Sequence, residues 1–183
     1  MNQQAPLAVE VVTAALWRNT TGGAGLVARR RVHQPRDLTG RRLHFADGTS
    51  AVVYRETRLE RPAPSQPTVL IVGFRLRLVR RRGHAVVRPA SELTTPLFVG
   101  FPGFASKLWL AHDGHGRYRG VYEWDGAGPA EDYARTLWRL LALVSVPGSV
   151  GYHVLPDLTR DVALDFPVAG PPEWWRPVVA PAL

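Results

Sequence analysis

Hydrophobic and polar positions change period several times along this 183-residue chain. Residues 68–79 read TVLIVGFRLRLV. The second half of that run alternates strictly, with Phe74, Leu76 and Leu78 on one side and Arg75 and Arg77 on the other, which predicts a strand. Residues 104–111 (FASKLWLA) and 117–125 (RYRGVYEWD) predict two more strands around a turn at 112–116. Residues 149–155 (SVGYHVL) predict a fourth. Between the third and fourth, Tyr133, Leu137, Leu140, Leu141 and Val144 recur at helical spacing, with Pro129 suited to the first helical position. A shorter helix is expected over residues 91–99, where Pro96 is tolerable only near the first turn. The order β-α-β-β-α-β over residues 68–158 is the ferredoxin-like arrangement, of α+β class.

The flanks are less regular. Residues 8–17 (AVEVVTAALW) suit a strand or a short helix, and residues 19–25 (NTTGGAG) read as turn material. This glycine run lacks both the GxGxxG spacing and a terminal Lys-Ser/Thr, so it is not read as a phosphate loop. Residues 42–59 predict a hairpin, with RLHF and SAVVYRETRL flanking Ala46-Asp47-Gly48-Thr49. Residues 61–67 hold three prolines and read as a linker. Three regions follow. Residues 1–67 form an N-terminal extension that adds strands to the sheet or lies over its mouth. Residues 68–158 form the ferredoxin-like domain. Residues 159–183 form a Pro- and Trp-rich tail whose Trp174 and Trp175 pack along a surface or a partner.

Composition excludes several classes. There is no Cys, so thiol catalysis, disulfides and Cys-zinc sites fall away. No apolar run approaches the ~20 residues of a membrane span, and residues 1–6 lack a signal-peptide pattern, so a cytoplasmic protein without membrane attachment is expected. The net charge of +8 splits into +5 for residues 1–67, +5 for 68–92 and −2 for 93–183. The excess sits in Arg29, Arg30 and Arg31, in Arg41 and Arg42, and in an insert at residues 80–88. No nucleic-acid motif accompanies these runs, so they read as solvated, Arg-biased loop ends rather than as a nucleic-acid surface. Among all the cations there is one lysine, Lys107.

Alternation sorts the sheet into two faces. Phe74, Leu76, Leu78, Phe104, Ser106, Leu108, Leu110, Tyr118, Tyr122, Trp124, Val150, Tyr152 and Val154 form an apolar set expected beneath the helices. Arg75, Arg77, Lys107, Trp109, Arg119, Val121, Glu123, His153 and Leu155 form the opposite set, expected to meet solvent or to line a pocket under a partner sheet. On that face Lys107 is a candidate base, Schiff-base former or anion holder, or else a cross-strand salt-bridge partner of Glu123. Glu123 and His153 are candidate general bases. Trp109 can stack on a flat substrate, and Arg75, Arg77 and Arg119 can hold its negative charge. His112, Asp113 and His115 lie close in sequence without a third spaced ligand, so no metal site is predicted. No cofactor is predicted either; haem would need an axial His, and His153 is the candidate.

The residues Pro102-Gly103-Phe104, Lys107, Trp109, Gly120, Tyr122 and Tyr133 make up P-G-F-x-x-K-x-W…G-x-Y…Y. The pattern is similar to the YdhR-type mono-oxygenase family of the dimeric α/β-barrel superfamily, over about half of the chain. The resemblance implies a homodimer pairing sheet to sheet, and a pocket between sheet and helices or inside the barrel. It implies relatives that act on small organic molecules without a tightly held cofactor, and it adds Tyr122 to the substrate-binding candidates. The extension and the Arg-rich insert depart from the family pattern. Three functions follow. The first is an enzyme of secondary metabolism acting on an anionic aromatic or polyketide-type molecule, as a cofactor-independent mono-oxygenase or as a cyclase/isomerase. The second is a non-catalytic small-molecule binding protein. The third is an anionic-surface or nucleic-acid binder.

Overall fold

A computed structural model describes residues 9–77, 95–166 and 170–178, with side chains given for all of these except 9–18 and 97. The elements, in chain order, are α1 (Val9–Ala28), β1 (Val32–His33), β2 (Arg42–Phe45), β3 (Ser50–Leu59) and β4 (Pro67–Arg75). There follow α2 (Thr95–Val99), β5 (Phe104–Leu110), β6 (Arg117–Asp125), α3 (Ala127–Val144), β7 (Gly151–Leu155), α4 (Arg160–Asp165) and β8 (Pro177–Val178).

The strands form one antiparallel sheet in the order β7-β4-β6-β5-β3-β2-β8, with β1 also paired to β3. Within it, β4-α2-β5-β6-α3-β7 is the ferredoxin-like βαββαβ unit, with its two central strands flanked by its last and second strands. The N-terminal hairpin extends this sheet, because β3 pairs with the outer edge of β5. Asp47 and Gly48 make its turn. Gly48 has φ +80°, and the Asp47 carboxylate accepts from the Thr49 N–H. No helix among the described residues is long and apolar enough to cross a membrane.

Several elements differ from the sequence expectation. Residues 9–28 are one continuous helix, so the glycine run at 19–25 is helical. The reason is a close crossing. A Cβ on Gly23 would strike the Pro96 backbone, and one on Gly100 would strike the backbone of Asn19 and Gly23. Glycine gives up helix propensity here so that α1 can touch α2. Helix α3 begins at Ala127, before Pro129, which sits in the first turn where its missing N–H breaks no bond. Val144, expected in its apolar stripe, is exposed. Strand β4 ends at Arg75, and the Arg-rich insert at 80–88 lies outside the described residues, as does the start of the helix expected from residue 91. The linker at 61–67 is pinned: Asp125 accepts from the backbone N–H groups of Ser65 and Gln66 and pairs with Arg61 at 2.6 Å.

The sheet has a core on each side. On the helix side, Leu70, Val72, Phe98, Phe101, Phe104, Trp109, Tyr122, Trp124, Tyr133 and Tyr152 pack beneath α2 and α3. On the other side, Val69, Ile71, Leu108, Leu110 and Val121 pack with Leu43, Phe45, Ala163, Leu164 and Trp175. That second face, where the family resemblance puts a partner sheet, is thus covered by β2, α4 and the Trp174–Trp175 segment of the same chain. Gly73 makes the cover fit, since a Cβ there would collide with the Trp174 ring.

The facing of β5 overturns the expectation from strict alternation. Its register shifts between Phe104, opposite Trp124, and Ser106, opposite Glu123. Ala105 is the extra residue of a β-bulge, and a bulge resets which side chains face which way. Lys107 and Trp109 therefore join Phe104 and Tyr122 on the helix side, while Ser106, Leu108 and Leu110 join Glu123 and His153 on the covered side. On β6 and β7 the predicted facing agrees with the structure.

Candidate functional site

Lys107 stands at the centre of the helix-side core. Its register partners are Tyr122 on β6 and Thr57 on β3. Its ammonium lies 3.0 Å from the centroid of the Trp109 ring, 4.5 Å from that of Phe98 and 4.7 Å from that of Tyr122. The residue is 6% exposed. Among the described residues no carboxylate ion-pairs with it and no group accepts a hydrogen bond from it. Aromatic faces attract a desolvated cation by about 2 kcal/mol. That is small against the cost of stripping water from an ammonium. Burial accordingly pushes its pKa well below the ordinary 10.5, and the nearby Arg55 guanidinium lowers it further.

The walls are built from named contacts. Trp109 Nε1 donates to Thr57 Oγ1 at 3.1 Å, which fixes the indole plane that faces Lys107. Arg55 also lies over that indole, 4.1 Å from the ring centroid, and donates from Nη2 to Thr95 Oγ1 at 3.3 Å. Gly120 sits opposite Trp109, and a Cβ there would collide with the Tyr122 ring. The absence of that Cβ lets the ring lean where it does. Tyr133 of α3 donates its O–H to Tyr122 Oη at 3.3 Å. Burial raises both phenols above their ordinary value, so they stay protonated and can act as donors. Gly103, at φ +83°, turns the chain into β5 close to the Asp125 carbonyl. Every residue of the P-G-F-x-x-K-x-W…G-x-Y…Y pattern except the turn dipeptide thus lies on one side of the sheet around one amine.

The other candidates are on the covered face or at the rim. Arg119 is fully buried and pairs with Asp113 at 2.6 Å and with Asp47 at 3.0 Å. It also donates to Thr49 Oγ1 and to the Trp174 carbonyl. It clamps hairpin, β6 and tail together. Glu123 accepts from the Arg160 N–H at 3.2 Å. It does not pair with Lys107, because the bulge puts the two on opposite sides. The His153 ring stacks on Trp175 at 3.6 Å with 5° between planes, and desolvation lowers its pKa against a smaller opposing pull from Glu173. Arg75 is exposed opposite Arg117, and Arg77 donates to the Ser145 carbonyl at the end of α3. Asp113 uses its carboxylate on the N–H groups of His115 and Arg117 and on Arg119, which places the His112–His115 segment as a braced turn.

Sequence reasoning passed over Arg55, Thr57, Phe98 and Tyr133 as site residues. Tyr133 stood in the motif and could have been included. Arg55 and Thr57 reach the site only because β3 docks on β5, a pairing across some fifty residues with no local signal. It also passed over the buried ion network of the covered face. There Glu56 accepts from Arg160 at 2.8 Å and from Arg58 at 2.6 Å, and Arg160 donates to Ser106 Oγ at 2.9 Å.

No family model matches the chain, and no curated protein matches it. A solved structure of an uncharacterized ferredoxin-fold protein related to antibiotic biosynthesis monooxygenases, from Listeria monocytogenes, is similar at 14% identity and a TM-score of 0.42. The match covers 61% of this chain and 66% of that one. The fold assignment rests on strand order and register, which stand independently of that likeness.

Proposed function

We propose that this chain is a small-molecule enzyme, mono-oxygenase-like and independent of a bound cofactor, whose reaction centre is Lys107. The observation that supports the reading is a buried amine without an anionic partner among the described residues, held against Trp109 beside two protonated phenols. The protein folds at the expense of desolvating this group, and such groups gather where chemistry needs them. The substrate class is an acidic, flat organic molecule, aromatic or polyketide-like. The unprotonated amine takes a proton from a carbon next to a carbonyl or ring. Arg55 and the Tyr122 hydroxyl stabilise the anion that results. Reaction of that anion with dioxygen converts the methylene carbon to a carbonyl and releases water. Both C–H bonds of the methylene break, one oxygen atom becomes the carbonyl oxygen, and the other leaves as water with the two hydrogens. The carbon supplies every electron that dioxygen takes up, so no further reductant is needed.

The test is oxygen uptake with anthrone-like and β-dicarbonyl compounds, comparing the native chain with Lys107→Met. Uptake that Lys107→Met abolishes supports the proposal. Substrate turnover without oxygen uptake makes the protein a cyclase or isomerase, and tight binding without turnover makes it a binding protein.

A further inference from the structure

We propose that Lys107 forms a covalent imine with a carbonyl-bearing ligand, so that the substrate class of this site is a ketone, aldehyde or β-dicarbonyl compound. This rests on the same site as the reading above but not on its oxygen chemistry.

Three features of the geometry carry it. First, an imine-forming amine must spend much of its time unprotonated, and the surroundings of Lys107 provide for that. Phe98, Trp109 and Tyr122 enclose the nitrogen, and among the described residues the charge acting on it is the Arg55 guanidinium. A hydrophobic pocket and a neighbouring cation are the two standard ways to activate a lysine. Second, a proton donor stands close by. The Tyr122 and Tyr133 hydroxyls are 3.3 Å apart, one proton between them and one to spare, and the Tyr122 ring centroid is 4.7 Å from the nitrogen. Third, the indole that backs the nitrogen is fixed by Thr57, so a planar conjugated imine has a flat surface to lie on.

The chemistry closes without an oxidant. The amine adds to the carbonyl carbon to give a carbinolamine. One amine hydrogen passes to the carbonyl oxygen on addition; the Tyr122 hydroxyl then protonates that oxygen, which leaves as water, and the second amine hydrogen returns to the tyrosine oxygen. The product is an imine, with the former carbonyl carbon double-bonded to the Lys107 nitrogen. With a β-dicarbonyl it tautomerises to a conjugated enaminone, which absorbs in the near ultraviolet.

The composition makes the test clean, because Lys107 is the sole lysine in the chain. The full chain is incubated at neutral pH with 2,4-pentanedione. Enaminone formation is followed by its absorbance and by the mass added to the Lys107 peptide. Acetone with cyanoborohydride gives the reduced adduct as a second readout. The expected result is modification of Lys107 about 10-fold or more faster than the same lysine in a free peptide of residues 104–110, as for an amine whose pKa burial has lowered. Tyr122→Phe slows it while circular dichroism stays native. Modification no faster than in the free peptide overturns the proposal. Oxygen uptake that depends on Lys107 without any adduct removes the imine and leaves the base reading standing. An adduct without oxygen uptake does the reverse.

Discussion

The two faces of the sheet bury basic side chains in opposite ways. On the covered face, Arg119 meets Asp113 and Asp47, and Arg160 meets Glu56 and Asp161. Each guanidinium is fully enclosed, yet each has carboxylates within 3.0 Å. On the helix side, Lys107 is as deeply buried and has aromatic rings and another cation for neighbours. A compensated buried charge can be structural, since its partners replace water. A buried amine with no such partner among the described residues is instead pushed toward its neutral form, which lowers stability and persists where it serves another purpose. This contrast, more than the residue types, separates scaffold from site.

The sharpest way to break the contrast is to remove a charge from each face. Arg160→Ala leaves the buried Glu56 with only the half-exposed Arg58 as a partner, and the expected loss is about 3 kcal/mol in urea unfolding. Glu56→Leu combined with Arg160→Met recovers much of that, because neither charge is then stranded. Lys107→Met has the opposite sign: an expected gain of about 1–3 kcal/mol, the size of removing an unsatisfied buried polar group, together with loss of any activity. If both single substitutions destabilise alike, the two faces do not differ as argued.

The pH dependence of stability sharpens the same point. The folded pKa of Lys107 lies below its unfolded value, so the unfolded chain binds the extra proton between the two. Stability therefore rises as pH rises from the folded pKa toward 10.5, and is lowest below that window, where folding must bury the charge. In Lys107→Met this rise disappears from urea midpoints measured across the same range. The smallest expected effect is at the walls. Thr57→Val removes the acceptor of Trp109 Nε1 and costs about 1 kcal/mol, while loosening the indole under the amine.

Much of the architecture was legible because β6 alternates, because β4 is an apolar run leading into alternating Arg and Leu, and because Asp47-Gly48 marks the hairpin. The ferredoxin-like order followed from spacing alone. Lys107 and Trp109 stood out, but their facing was misread. A bulge at Ala105 depends on how β5 meets β6, and nothing in FASKLWL announces it. The pairing of Glu56 with Arg160 spans 104 positions and waits on α4 closing the far face. The glycine run was misread because propensity favours a turn there, whereas the contact with Pro96 and Asn19 is tertiary. Arg119 looked like a substrate clamp because two of the segments that supply its polar partners, the hairpin turn and the tail, are distant in sequence.

The most direct measurement is the titration of Lys107 itself. Uniformly lysine-labelled protein carries one labelled side chain, so its 13Cε and 15Nζ signals can be followed by NMR without assignment. The account requires a midpoint well below 10.5 in the folded chain, returning to the ordinary value when the chain is unfolded in urea. A folded-state midpoint at or above the ordinary value would contradict it, and would return Lys107 to a cation that the interior merely tolerates.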